Sequence, residues 1–206
     1  MIEEVREMRV KICGLTSPED AAFAARAGAD AVGVVMYSDS PRSIDERRAR
    51  EIFAAVGPFT ATVVVTHTTS AADLAAIIAL RPTAVQIFYP HQVDEDAPVR
   101  VIRAVGGGRM PPFPGKTDAY IVDESMGRGR AFDPIVARRF LERCPLPVVL
   151  AGGLTPGNVG SAVSLHPYAV DVCSGVEVSP GVKDRAKVLA FIRAAKADPV
   201  QTGRPA

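Results

Sequence analysis

Val10-Lys11-Ile12-Cys13-Gly14-Leu15-Thr16 reads as a short apolar strand that runs out into a cysteine and a glycine. A helix start follows at once. Ser17 is placed to cap it, Pro18 suits the first helical position, and Glu19 and Asp20 put negative charge in the first turn. Side chains alternate along a strand, so Lys11 and Cys13 share a face. An ammonium and a thiol therefore approach the carboxyl end of a strand, the edge at which α/β folds bind ligands.

The stretch has an echo. Cys13-Gly14-Leu15-Thr16-Ser17-Pro18 resembles Gly152-Gly153-Leu154-Thr155-Pro156, and each is followed by a helix and then by Ala-Val-x-Val, starting at Ala31 and Ala169. Further strands are expected at 31–36, 60–66, 84–88, 99–105, 119–123, 146–151 and 169–173. Several are continuous apolar runs, the pattern of strands buried on both faces of a parallel sheet. Helices are expected at 18–27, at 43–56 opened by a Ser43/Glu46 capping box, and at 71–80 behind Ser70. Others begin at Pro134 behind Asp133, just after Pro156, and at Asp184. The run 106–115, with four glycines and three prolines, cannot hold a normal helix. Eight strands alternating with helices at about 25 residues per unit predict an α/β fold, a single-domain (βα)8 TIM barrel with an eroded fifth helix. Residues 1–7 are expected to be an N-terminal extension, 8–196 the barrel and 197–206 a flexible tail.

Composition narrows the function. The 206 residues are 48% hydrophobic and 23% charged, and Lys+Arg 24 against Asp+Glu 23 leaves +1, so no electrostatic case exists for nucleic acid or an acidic membrane. No apolar run reaches the roughly 18 residues of a membrane span. The charged residues Glu3, Glu4, Arg6 and Glu7 do not read as a signal peptide. Three widely spaced cysteines, Cys13, Cys144 and Cys173, have no zinc-like spacing, and a reducing cytoplasm is the expected compartment.

Gly152-Gly153 and Ser174-Gly175 directly follow the seventh and eighth strands, where barrel loops hold phosphate on backbone N–H groups. The same glycines would also serve as tight turns. Cys13 is a general base or nucleophile if Lys11 or the adjacent helix start ionises its thiol, and otherwise a small buried residue. Asp123 ends an apolar strand at the same edge and suits a general acid, or a loop acid. Arg42, in Ser40-Pro41-Arg42, can grip a carboxylate through its planar donors or remain a solvated loop charge. Lys11 and Asp171 lie on strands that become neighbours when a barrel closes, and a buried ion pair is expected there.

In combination these motifs resemble phosphoribosylanthranilate isomerases of tryptophan biosynthesis. The resemblance rests on 11–16, on Gly28-Ala29-Asp30-Ala31-Val32-Gly33 with Ser40-Pro41-Arg42, and on Leu150-Ala151-Gly152-Gly153-Leu154 with Asn158. It continues in Val170-Asp171-Val172, Ser174-Gly175-Val176-Glu177 and Pro180-Gly181 with Lys183 and Asp184. The chain departs from the family at Gln86-Ile87-Phe88-Tyr89, where Gln-Leu-His-Gly is usual, and at Gly127-Arg128-Gly129-Arg130. The resemblance implies an isomerase that carries out an Amadori rearrangement, with Cys13 as base and Asp123 as acid. Arg42 would hold a carboxylate, and Gly152, Gly153, Ser174 and Gly175 the phosphate. Proton movement alone implies no cofactor and no metal. The expected partner is a phosphorylated small molecule, and the chain would act as a monomer or homodimer. An isomerase of another aminoaldose phosphate and a non-catalytic phosphoribosyl-binding barrel are the competing readings.

Overall fold

The computed structural model describes residues 7–106, 113–123 and 133–197. Strands β1 (Arg9–Ile12), β2 (Ala31–Met36), β3 (Ala61–Thr66), β4 (Ala84–Ile87), β5 (Arg100–Val105), β6 (Ala119–Asp123), β7 (Val148–Ala151) and β8 (Ala169–Val172) pair in sequence order, and β8 pairs back with β1. All eight pairings are parallel, so the sheet is the expected closed barrel. Helices α1 (Pro18–Arg26), α2 (Glu46–Val56) and α3 (Ala71–Ala79) follow the first three strands. Helices α4 (Pro134–Arg143), α5 (Val159–Val163) and α6 (Arg185–Lys196) follow the last three. Between β8 and α6 come a 3-10 turn, Ser174–Val176, and a two-stranded hairpin, β9 (Glu177–Ser179) and β10 (Val182–Lys183), that was not anticipated from sequence.

The strands are apolar on both faces because each face meets a different core. Val10, Ile12, Val32, Val64, Val85 and Leu150 point outward and pack with Ile52, Leu74, Ile77, Phe140 and Phe191 of the helices. Ala104, Ile121, Val149, Ala151 and Ala169 point inward and fill part of the bore. The bore also holds polar groups. Lys11, Gln86 and Asp171 are all buried, and Lys11 Nζ lies 2.9 Å from Asp171 Oδ1 and 3.2 Å from Gln86 Oε1. The expected ion pair is therefore present, on paired positions of β1 and β8. Gly33 makes room for it: a Cβ there would stand 3.0 Å from both Lys11 Cε and Cys13 Sγ.

Most capping expectations hold. Ser17, Ser70 and Asp133 accept from the N–H groups of their first turns, and Asp184 caps α6 from just outside it. The second helix differs. Ser43 is drawn into a bridge with Val35, and Asp45 caps α2 instead, accepting from Arg48 N–H.

Most of the run 106–115 lies outside the described residues, and no helix occurs among those described between β5 and β6. The connection from β4 to β5 also has none, although the sequence had marked only the fifth helix as lost. Arg103 stands in for this missing cover. It alternates with the bore-facing Ile102 and Ala104, so its side chain leaves the barrel, yet it is completely buried. Its guanidinium donates to the carbonyls of His91, Pro114 and Lys116 at 3.0, 2.8 and 3.0 Å and lies over the ring of Phe113.

Removing one member of the bore pair leaves the other charged and dry. Asp171→Ala is expected to cost about 3–5 kcal/mol in urea unfolding, and Lys11→Met combined with Asp171→Leu to recover most of that. A single variant as stable as the parent would show that the pair contributes nothing to the closed barrel.

Candidate active site

Every residue picked out from sequence lies on the carboxyl face of the barrel. Cys13 stands one residue beyond β1, and its N–H donates to Val172 O at 2.8 Å. That bond carries the β1–β8 pairing one step further and sets Cys13 opposite Cys173. At Gly14 the chain turns with φ +71°, and a Cβ there would lie 2.6 Å from Cys173 Sγ and 2.8 Å from Arg42 Cδ. Only glycine serves at this corner.

Cys13 is buried against Val35 and Val65, with Phe88 and Cys173 packed beside it. Its thiol is held well below the usual range. A hydrogen bond from Cys173 contributes most; burial opposes, and Lys11 and then Lys183 add to the lowering. The Cys173 thiol is pushed up by the same pairing and by its own burial. Lys11 stays protonated, because Asp171 and Cys13 together outweigh the burial of its ammonium. Burial pushes the Asp171 carboxyl up to about 7 against the pull of Lys11.

Asp123 closes β6, on the same face as the bore-facing Ile121, and is half-buried. The loop that follows it, 124–132, lies outside the described residues. Asp123 also bears on His67, raising its affinity for protons, although burial keeps that imidazole below its ordinary value overall. His67 stacks on Phe88 with centroids 4.1 Å apart, and its Nδ1 is 3.1 Å from Ser38 Oγ. Together they form a flat aromatic wall at the mouth.

The two glycine loops lock together. Gly152 and Gly153 take φ values of +89° and +63°. Asn158 fastens their loop, accepting from Thr155 N–H and donating to Gly153 O. Gly175 comes so close that a Cβ would sit 1.9 Å from Leu154 O. The N–H groups of Gly153, Ser174 and Gly175 have no hydrogen-bond acceptor among the described residues. Backbone donors left open beside one another in this way suit an anion.

Arg42 is more occupied than its loop position predicts. Its Nε donates to Glu177 Oε1 at 2.9 Å and its Nη2 to Glu177 Oε2 at 2.6 Å, which leaves Nη1 for a ligand. Glu177 is also held by Lys183 Nζ at 2.8 Å and by Gly181 N–H at 3.2 Å. The hairpin β9–β10 is therefore tied through Glu177 to the loop after β2. Among the described residues no three His, Cys, Asp or Glu side chains gather as a metal-binding group.

Five residues of the site went unassigned in the sequence: Gln86, Asn158, Cys173, Glu177 and Lys183. Some left a signal. Lys11-x-Cys13 and Asp171-x-Cys173 place matched polar and thiol pairs, with the same parity, on the two strands that close the barrel. Glu177 and Lys183 flank Ser179-Pro180-Gly181, a turn between opposite charges. Gln86 and Asn158 read as ordinary polar residues without their partners.

Glu177 gives this site a pH signature. Burial would raise its carboxyl, but Arg42 and Lys183 outweigh burial and hold it below its ordinary value. A carboxylate lowered in the folded state contributes stability above its unfolded pKa, and that contribution is lost as pH falls through the folded value. Unfolding free energy is therefore expected to fall as pH drops below about 4.5. The slope should be shallower in Glu177→Gln, measured by denaturant titration at successive pH values. Equal slopes would remove Glu177 from the account.

Comparison with known proteins agrees with this geometry. The family model described as N-(5'phosphoribosyl)anthranilate (PRA) isomerase matches residues 10–194. The N-(5'-phosphoribosyl)anthranilate isomerase of Methanoregula boonei is 55% identical over 92% of this chain and 97% of its own length. That of Pseudomonas aeruginosa is 42% identical over 92% and 95%. Among solved structures, the phosphoribosyl anthranilate isomerase of Thermus thermophilus superposes with a TM-score of 0.81 at 33% identity, over 96% of this chain and all of that one. Another phosphoribosyl anthranilate isomerase, solved with reduced 1-(o-carboxyphenylamino)-1-deoxyribulose 5-phosphate, superposes with a TM-score of 0.75 at 32% identity, over 93% of this chain and all of that one. The chain belongs to the N-(5'-phosphoribosyl)anthranilate isomerase family.

Proposed function

We propose that the chain converts N-(5'-phosphoribosyl)anthranilate to 1-(2-carboxyphenylamino)-1-deoxyribulose 5-phosphate in tryptophan biosynthesis. The observation that carries this reading is a thiol held low beside a buried ammonium, at a mouth that also presents a carboxyl and open backbone donors. The reaction moves protons only. Asp123, as general acid, protonates the furanose oxygen, and the C1'–O bond breaks to give a Schiff base. Cys13, as general base, takes the proton from C2', and the electron pair left behind forms an enolamine. Protonation of that enolamine at C1' gives the ketone. Both steps ask for acid and base on different sides of the substrate, as strands β1 and β6 provide.

The substrate phosphate would lie on the N–H groups of Gly153, Ser174 and Gly175, with Gly152 shaping the turn. The anthranilate carboxylate would take Nη1 of Arg42, whose plane Glu177 already fixes. The reduced deoxyribulose phosphate compound bound by a relative has these same two anionic ends. A cytoplasmic enzyme fits a thiol that must stay reduced to work. No helix among the described residues is long and apolar enough to cross a membrane. The Thermotoga maritima relative is described as dimeric, which makes a homodimer the assembly to look for by light scattering, with a monomer as the other outcome.

Loss of anthranilate fluorescence on adding the protein to N-(5'-phosphoribosyl)anthranilate tests the reaction directly, and no turnover by folded protein would overturn it. Cys13→Ser and Asp123→Asn are each expected to lower kcat by at least about a hundredfold while phosphate affinity holds. Near-parental kcat in either would remove that residue from its role. Arg42→Ala is expected mainly to raise KM, by roughly tenfold for one lost charge-assisted hydrogen bond. An unchanged KM would return Arg42 to holding the hairpin alone.

A further inference from the structure

Cys173 is the second sulfur at the mouth, and the reaction as derived does not use it. Four observations bear on what it does. The pairing Ile12–Val172 and the bond from Cys13 N–H to Val172 O set Cys13 and Cys173 side by side on neighbouring strands. Both side chains face inward and belong to one packed cluster with Val35, Val65 and Phe88. The backbone is cut away around them, since a Cβ at Gly14 would strike Cys173 Sγ and one at Gly33 would press on Cys13 Sγ. Finally, the charges around the two sulfurs differ. Cys13 has Lys11 on its own strand face, whereas Cys173 has the Glu177 carboxylate 3.9 Å away.

That difference decides which sulfur keeps a proton. A thiolate beside Lys11 is favoured and a thiolate beside Glu177 is not. Glu177 is a poor acceptor for the Cys173 S–H, because Arg42, Lys183 and the Gly181 N–H already occupy its oxygens, and 3.9 Å is long even for sulfur. The proton on Cys173 is then free to turn to Cys13. The remaining charged groups around the pair are Lys183 and Arg42, both engaged by Glu177, and the carboxyls of Asp171 and Asp123. Lys11 neutralises Asp171, so it does not cancel the preference.

We propose that Cys173 is a positioning residue for the Cys13 base, donating its S–H to the Cys13 sulfur so that the thiolate is aimed into the mouth and kept ready. This rests on Cys13 being the base. The two claims separate when ionisation and turnover are read independently. In full-length protein carrying Cys144→Ser, the pH dependence of iodoacetamide alkylation at Cys13, followed by mass spectrometry, reports the thiolate without reference to activity. The pH profile of kcat/KM reports its use.

In Cys173→Ala the alkylation midpoint is expected to rise by about one to two pH units, the size of a hydrogen bond to a charged group. The acid limb of kcat/KM should move with it, lowering turnover near pH 6 by about tenfold with little change in melting temperature. Cys173→Ser should restore both readings, because a hydroxyl donates as a thiol does. An unmoved alkylation midpoint in Cys173→Ala overturns the proposal, as do equal shifts in the alanine and serine variants. A moved midpoint with an unmoved kcat/KM profile shows that the two sulfurs interact but Cys13 is not the base, and overturns the positioning role.

Discussion

The Lys11–Asp171 pair sits on the seam where the barrel closes, and much else is aligned by it. Strands β1 and β8 are the most distant in sequence of all the pairs, so their register must be fixed by side chains rather than by a short connection. A one-residue slip would turn Lys11 and Asp171 out of the bore and separate Cys13 from Cys173. A buried ion pair adds little net stability, but it penalises such alternatives heavily, because each would leave a charge dry and alone. Gln86 from β4 reaches the same ammonium, so three strands answer to one cation.

A second charged cluster works above the first. Arg42, Glu177 and Lys183 join the loop after β2 to the hairpin after β8, passing over the strand that carries Cys13. Glu177 holds Arg42 in a fixed plane and leaves one edge open, which is the geometry a planar carboxylate needs. Lys183 keeps Glu177 charged and also binds the Cys173 carbonyl at 3.3 Å. The two clusters meet at the pair of sulfurs, where the lower one supplies Lys11 and the upper one Glu177. Neither glycine loop shares this dependence: Asn158 and the close approach of Gly175 to Leu154 hold those loops by backbone contacts.

The barrel was legible in the sequence because two-sided burial writes apolar runs directly, and the caps at Ser17, Ser70 and Asp133 write helix starts. The seam was legible too, since Lys11 and Asp171 stand out in strands that are otherwise apolar. Asp45 displaced Ser43 as a cap because Ser43 was claimed by Val35, a tertiary contact that local spacing cannot record. Arg42 was correctly placed at the mouth, but its commitment to Glu177, 135 positions away, left no trace nearby. The hairpin from Glu177 to Lys183 was missed because its strands are three and two residues long, too short for any periodicity.

Arg103 bears on the size of the protein. Barrels of this class typically run to about 250 residues, with about 200 near the lower end. This chain reaches eight strands in 206 residues, and two of its connections shield the sheet without a helix among their described residues. A helix satisfies its own carbonyls; a short irregular segment cannot, and would leave them stranded against the barrel wall. One guanidinium accepting that task at three carbonyls shortens the gene by the length of the helices it replaces. It does so on the outer wall of the barrel, away from the rim where catalysis is expected. The compactness of the chain is thus achieved with a single side chain whose charge is never seen by solvent.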